Sequence, residues 1–183
     1  MRKVLLIALI AIMLSSLFAG ELFTKAPAED KSIIPLVRAP KLNTNTQYYI
    51  NPKSNVDMQV DIDRDRALGK VKLWPFNSSF AQRFFFTATS HGKYNIVKAK
   101  HLTFMNTMVY ESVVIPVMSE DNNSPSALWH IIPSGEADYY YIINDADGKA
   151  FSINSENQNS EIVLDILTGA ESQKWRMILV HNK

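Results

Sequence analysis

Gln173-Lys174-Trp175-Arg176-Met177-Ile178 decides how this chain is read, because fainter copies of it stand twice upstream. Gln82-Arg83-Phe84 leads into Phe85-Phe86, and Ala127-Leu128-Trp129 leads into His130-Ile131-Ile132. In each copy a large ring opens a short run of alternating apolar residues, the pattern of a half-buried strand. The copies recur at about 45 residues, and a fixed period in that range marks a repeat architecture.

Working outward, the rest of each unit follows the same key. Leu73, Met118 and Leu164 stand at one identical offset before Phe84, Trp129 and Trp175. Each unit also has an early strand led by tyrosine: Tyr48-Tyr49-Ile50-Asn51, Tyr94-Asn95-Ile96-Val97 and Tyr140-Tyr141-Ile142-Ile143-Asn144. Between these come Val60-Asp61-Ile62, Leu102-Thr103-Phe104 and Phe151-Ser152-Ile153, which the spacing predicts to be equivalent strands. Turn residues separate them at Asn51-Pro52, Asn77-Ser78-Ser79, Asn122-Asn123-Ser124-Pro125 and Asp145-Ala146-Asp147-Gly148. No useful helical periodicity interrupts the pattern. The predicted fold is all-β, with three units closed around a pseudo-threefold axis and few bare strand edges.

This set of motifs resembles the ricin-type β-trefoil, a carbohydrate-binding module whose three repeats each carry a Gln-x-Trp. The resemblance covers roughly residues 47 to 180. Only the third motif is intact, since Phe84 replaces the Trp of the first and Ala127 the Gln of the second. Phe84, Trp129 and Trp175 are expected to fill the interior as the repeat core. The resemblance implies a sugar site built from an Asp acceptor, a stacking ring and polar residues near the Gln-x-Trp. A pyranose needs such a set: its C–H face stacks on a ring and its hydroxyls take acceptors and donors.

Mapped residue by residue, repeat one carries that set as Asp61, Lys72, Trp74 and Gln82. Ala81 departs from it, because the family usually has Asn there. At the ring position the other repeats have Ser119 and Asp165, and at the acceptor position Thr103 and Ser152. A core position would not read Trp, Ser and Asp in three repeats, so Trp74 is expected to face solvent or a ligand. Neither Trp74 nor Asp61 is expected to be buried. Gln82 and Gln173 have a second reading, as caps for backbone groups in the turn before the strand. Gln59 and Phe76 stand where family members often have disulfide cysteines, and Phe76 would supply bulk in place of the cross-link.

Residues 1–19 read as a secretory signal peptide: a basic start at Arg2-Lys3, an apolar run from Val4 to Leu14, and a small-residue exit at Ala19-Gly20. The run is too short to span a membrane comfortably, and no stable insertion is expected after cleavage. The expected location is secreted or periplasmic. Residues 20–46, with Pro27, Pro35 and Pro40, read as an extended linker or docking tail, and residues 47–183 as the trefoil domain. The chain has no cysteine and a formal net charge of +1. Packing alone must therefore hold the domain, and no basic block points to nucleic acid.

Enzyme signatures are lacking. Asp61-Ile62-Asp63-Arg64-Asp65 resembles the opening of a calcium loop, but Arg66 replaces the needed Gly and Lys72 the closing Glu. His91, His101, His130 and His181 show no metal-ligand spacing, and neither metal nor cofactor is expected. The expected function is non-catalytic binding of a glycan or glycoprotein through one site in repeat one. The alternative is a protein-binding delivery or assembly subunit of a secreted toxin complex. The chain is similar, through Trp129-His130-Ile131-Ile132-Pro133 and the following tyrosine strand, to the trefoil subunits of cytolethal-distending toxins, which hold a catalytic subunit.

Overall fold

A computed structural model describes residues 42–62, 69–89 and 92–181. The segment read as a signal peptide, the tail as far as Lys41, and residues 63–66 of the calcium-like loop lie outside the described residues.

Among the described residues, twelve strands fall into three units of four. The first holds β1 (Gln47–Pro52), β2 (Met58–Ile62), β3 (Val71–Pro75) and β4 (Phe84–Ala88). The second holds β5 (Tyr94–Lys98), β6 (Phe104–Tyr110), β7 (Val113–Ser119) and β8 (Trp129–Pro133). The third holds β9 (Tyr140–Asn144), β10 (Ala150–Ile153), β11 (Ile162–Asp165) and β12 (Trp175–Leu179). A single 3-10 turn precedes the last strand of each unit: Phe80–Gln82, Pro125–Ala127 and Glu171–Gln173.

The outer strands of the units pair antiparallel in a ring: β1 with β4, β4 with β5, β5 with β8, β8 with β9, β9 with β12, and β12 back to β1. A closed ring leaves its members no free edge. The inner strands form three hairpins, β2–β3, β6–β7 and β10–β11. A six-stranded barrel with one hairpin per unit is a β-trefoil.

The hairpin registers confirm the repeat offset. Val60 pairs with Leu73, Met105 with Met118 and Phe151 with Leu164, and all six side chains are buried. They also correct one expectation. Leu102-Thr103-Phe104 is not equivalent to Val60-Asp61-Ile62; Met105-Asn106-Thr107 is. Leu102 sits outside β6 in the left-handed region, with φ 51° and its side chain in solvent. The backbone N–H of Lys98 bonds to the Thr103 carbonyl and closes that turn, which delays the strand by three residues. The residue at the acceptor position of repeat two is therefore Asn106, not Thr103.

The core is built in threes. Ile50, Ile96 and Ile142 lie at one level, and Phe84, Trp129 and Trp175 at another, all with no exposed surface. The indole N–H of Trp129 donates to the Met105 carbonyl at 2.9 Å and that of Trp175 to the Phe151 carbonyl at 3.0 Å. These two bonds occupy the same place in their units and tie barrel to hairpin. Phe84 fills the third place and has no donor to offer Val60. Phe151 stands edge-on to both Trp129 and Trp175, at 5.6 and 5.2 Å between centroids.

Replacing Trp175 with Ala is expected to cost about 3–5 kcal/mol in urea unfolding, the usual cost of emptying a large buried aromatic site. Trp175→Phe keeps most of the volume but strands the Phe151 carbonyl, for a loss of about 1–3 kcal/mol. If the alanine variant unfolds with the parent's midpoint, Trp175 is not the keystone of its repeat.

Candidate functional site

The expected sugar-binding residues of repeat one lie on and beside the β2–β3 hairpin. Strand alternation sends Val60, Ile62, Val71 and Leu73 inward, where each is at most 1% exposed. Gln59, Asp61, Lys72 and Trp74 are thereby set on the opposite face. Across the ladder Asp61 pairs with Lys72 and Gln59 with Trp74, so one face brings together three of the four expected residues.

Their environments differ. Trp74 is half-buried, and the Lys72 ammonium lies over its ring at 4.6 Å from the centroid. Such a contact is worth about 0.5–1 kcal/mol at an exposed site. Lys72 also donates to Asn159 Oδ1 at 2.8 Å, which anchors the hairpin to the loop before β11. Asp61 was expected to be open to solvent and is only 6% exposed. Its carboxylate acts on Lys98, a lysine with no exposed surface. Burial pulls the Lys98 amine below the ordinary lysine range, Lys100 pushes it the same way, and Asp61 opposes both. The expected acceptor is thus engaged with an internal cation.

Gln82 stands apart from that face. It is fully buried, its Oε1 accepts from the Asn77 N–H at 2.9 Å, and its Nε2 donates to the Pro75 carbonyl at 2.9 Å. Gln173 holds the corresponding loop in the same way. Its Oε1 accepts from the Thr168 and Gly169 N–H groups, and its Nε2 donates to the Ile166 carbonyl. The glutamine of the motif therefore clamps the loop that follows the ring position, and Trp74 sits one residue before that clamp.

Repeat two, with Ala127 in place of Gln, solves the same problem differently. Asn106 Nδ2 donates to the Asp121 carbonyl at 2.7 Å, while Asn95 Nδ2 donates to the carbonyls of Asn122 and Ala127. Asp121 Oδ1 accepts from the N–H groups of Asn123 and Ser124. Asn106, at the acceptor position, is thus occupied with the loop. Repeat three offers Ser152, which is buried, and Asp165, which is exposed and caps the Ile166 N–H. At the ring position itself neither unit has an aromatic, although Tyr110 is exposed further along the β6–β7 hairpin.

Sequence reasoning did not mark Phe76 as a surface residue. It is 54% exposed and stands edge-on to Tyr49 at 5.0 Å, so its bulk braces the outside of the barrel rather than replacing a buried cross-link. Among the described residues, no group of three or more His, Asp or Glu is placed to hold a metal ion.

No protein-family model matches this chain, and no curated protein sequence does. Solved structures do match. A Macrolepiota procera ricin B-like lectin in complex with lactose superposes with a TM-score of 0.65 at 12% identity, covering 76% of this chain and 99% of that one. A designed threefold-symmetric protein, ThreeFoil, gives 0.67 at 14% identity over 72% and 97%. A mosquitocidal holotoxin gives 0.66 at 16% identity over 76% of this chain but only 18% of its own. These likenesses establish the fold. This chain is a β-trefoil.

Gln82→Ala is expected to lower stability by about 1–2 kcal/mol, because the Asn77 N–H and Pro75 carbonyl lose their partner. Gln173→Ala should do the same through its own loop. A Gln82→Ala variant that unfolds like the parent would show that the clamp carries no weight.

Proposed function

We propose that this protein is a non-catalytic carbohydrate-binding protein that recognises a surface glycan through repeat one. The observation that carries this reading is Trp74. It is a partly exposed indole on the outer face of a clamped hairpin, at a position where the other two repeats have Ser119 and Asp165. A ring so placed offers a sugar its stacking surface, and Lys72 beside it offers a donor to hydroxyls. Gln82 supports the site by fixing the loop after Trp74 rather than by touching sugar. Asp61 contributes through its charge and through Lys98. The lactose-bound lectin of the same fold supports the choice of ligand class. One shallow site binds weakly, so useful strength requires several copies or a tethered partner. The signal-like residues 1–19 are consistent with action outside the cell.

The second reading is a protein-binding subunit of a secreted toxin complex. It draws on the tip of the β6–β7 hairpin, where Met108, Val109, Tyr110 and Val113 are all exposed. This hairpin has seven residues in each strand, longer than the five of β2–β3 and the four of β10–β11.

Trp74→Ala is expected to weaken retention on a glycan array at least tenfold while shifting stability by no more than about 0.5–1 kcal/mol, since it removes a surface ring and one cation–π contact. Asp61→Ala is a poorer probe, because Asp61 is itself buried and its charge favours the protonated form of buried Lys98, so the change should also destabilise the fold. Retention of Trp74→Ala at the parent's level would remove the basis for a sugar site on this face.

A further inference from the structure

A groove of about 890 Å³ opens beside repeat one, between the start of β2 and the end of β12. Tyr49, Phe76 and Ile178 are among its apolar walls, and its polar lining is Asn51, Asp57, Gln59, Ser78, Arg83 and His181. Neither Trp74 nor Asp61 lines it, but Gln59, which pairs with Trp74 across the β2–β3 ladder, does, so the groove adjoins the hairpin face.

Its polar groups are unfinished. Asn51 and Gln59 are each 4% exposed, yet Asn51 Oδ1 and Gln59 Oε1 have no hydrogen-bond partner, and neither has Arg83 Nε. Buried polar atoms are nearly always paired, and an orphan carries a desolvation cost that something must offset. The orientation at Asn51 is fixed. Its Nδ2 donates to the carbonyls of Val56 and Met58 at 2.9 and 3.2 Å, which leaves Oδ1 as an acceptor with nothing to accept from. Arg83 is held as firmly, with one terminal nitrogen on the Ser78 carbonyl at 2.8 Å and its guanidinium over the Phe80 ring at 4.9 Å.

Two acceptors and one donor beside an exposed phenyl ring match a sugar better than a peptide. Each sugar hydroxyl donates once and also accepts, and the C–H face of a pyranose stacks on a ring. An added peptide strand would instead need a free row of main-chain groups. Much of the main chain beside the groove is taken: β1 pairs with β12 from Tyr48 to Pro52, and the Val56 and Met58 carbonyls are taken by Asn51. The volume lies within the usual range for a small-molecule site.

We propose that this groove is a second saccharide site, adjoining the Trp74 face through Gln59, which takes a neutral sugar unit with adjacent hydroxyls. Phe76 stacks on its apolar face. Asn51 Oδ1 and Gln59 Oε1 accept from two hydroxyls, and Arg83 Nε donates to a third oxygen.

The test uses the full chain on an array of immobilised neutral mono- and disaccharides, with free lactose as a soluble competitor. Phe76→Ala and Gln59→Met are each expected to weaken retention roughly tenfold, the effect of one lost contact of this kind. Gln59→Met also removes an orphan amide, so its melting temperature should equal or exceed the parent's. Loss in these two variants with retention in Trp74→Ala places binding in the groove even if the hairpin face is inert. Parent-like retention in both, with loss in Trp74→Ala, overturns the groove and leaves the hairpin face standing. A fall of several degrees in Gln59→Met also overturns it, because Gln59 would then be structural. Capture of an unstructured peptide library in place of any saccharide would assign the groove to polypeptide and overturn the proposal.

Discussion

The bond from the Trp129 indole to the Met105 carbonyl, and its twin from Trp175 to Phe151, hold this structure together. Each starts on the first residue of a barrel strand and ends on the second strand of the same unit, so it fixes how a hairpin sits on the barrel. Phe151 touches both tryptophan rings and links units two and three through the core. With no cysteine anywhere in the chain, these rings and the three isoleucines at the next level do what disulfides do in many small exported domains.

That arrangement frees the loops to differ. Units one and three clamp the loop before the ring-bearing strand with one buried glutamine each, while unit two uses Asn95, Asn106 and Asp121. The same backbone need is met by different side chains, and the unit-two solution occupies the position that unit one fills with Asp61. Divergence of the repeats is therefore a matter of surface chemistry on a shared frame. Unit one has an indole at the ring position where the other units have Ser119 and Asp165, and the groove with its unpaired amide oxygens adjoins the same unit.

Much of the fold was legible in the sequence because its signals are large and periodic. The rings at Phe84, Trp129 and Trp175, with Leu73, Met118 and Leu164 at a constant offset, were enough to set the repeat and the buried set. The register of β6 was not legible, because a left-handed residue at Leu102 delays the strand and hydrophobic pattern alone does not report backbone sign. The site was legible in part. Trp74 stood out because its equivalents are polar, and it is indeed on the surface. Asp61 looked just as available, but it is buried and its charge acts on buried Lys98, 37 positions away in the chain, a proximity no local pattern announces. Gln82 allowed two readings, and its hydrogen bonds are those of the structural one. The groove was not legible at all, since it forms only when the two ends of the barrel meet between β1 and β12.

The central claim is that unit one has been specialised for sugar on a frame shared by all three. The most direct measurement is a two-dimensional amide NMR titration of the full chain with lactose and related neutral disaccharides. The account predicts shifts concentrated at unit one, in the Trp74 indole N–H and in the amides of Lys72 to Phe76, with the Trp129 and Trp175 indole signals unmoved. Shifts centred on Met108 to Val113 of the β6–β7 hairpin, or spread equally over the three units, would contradict it.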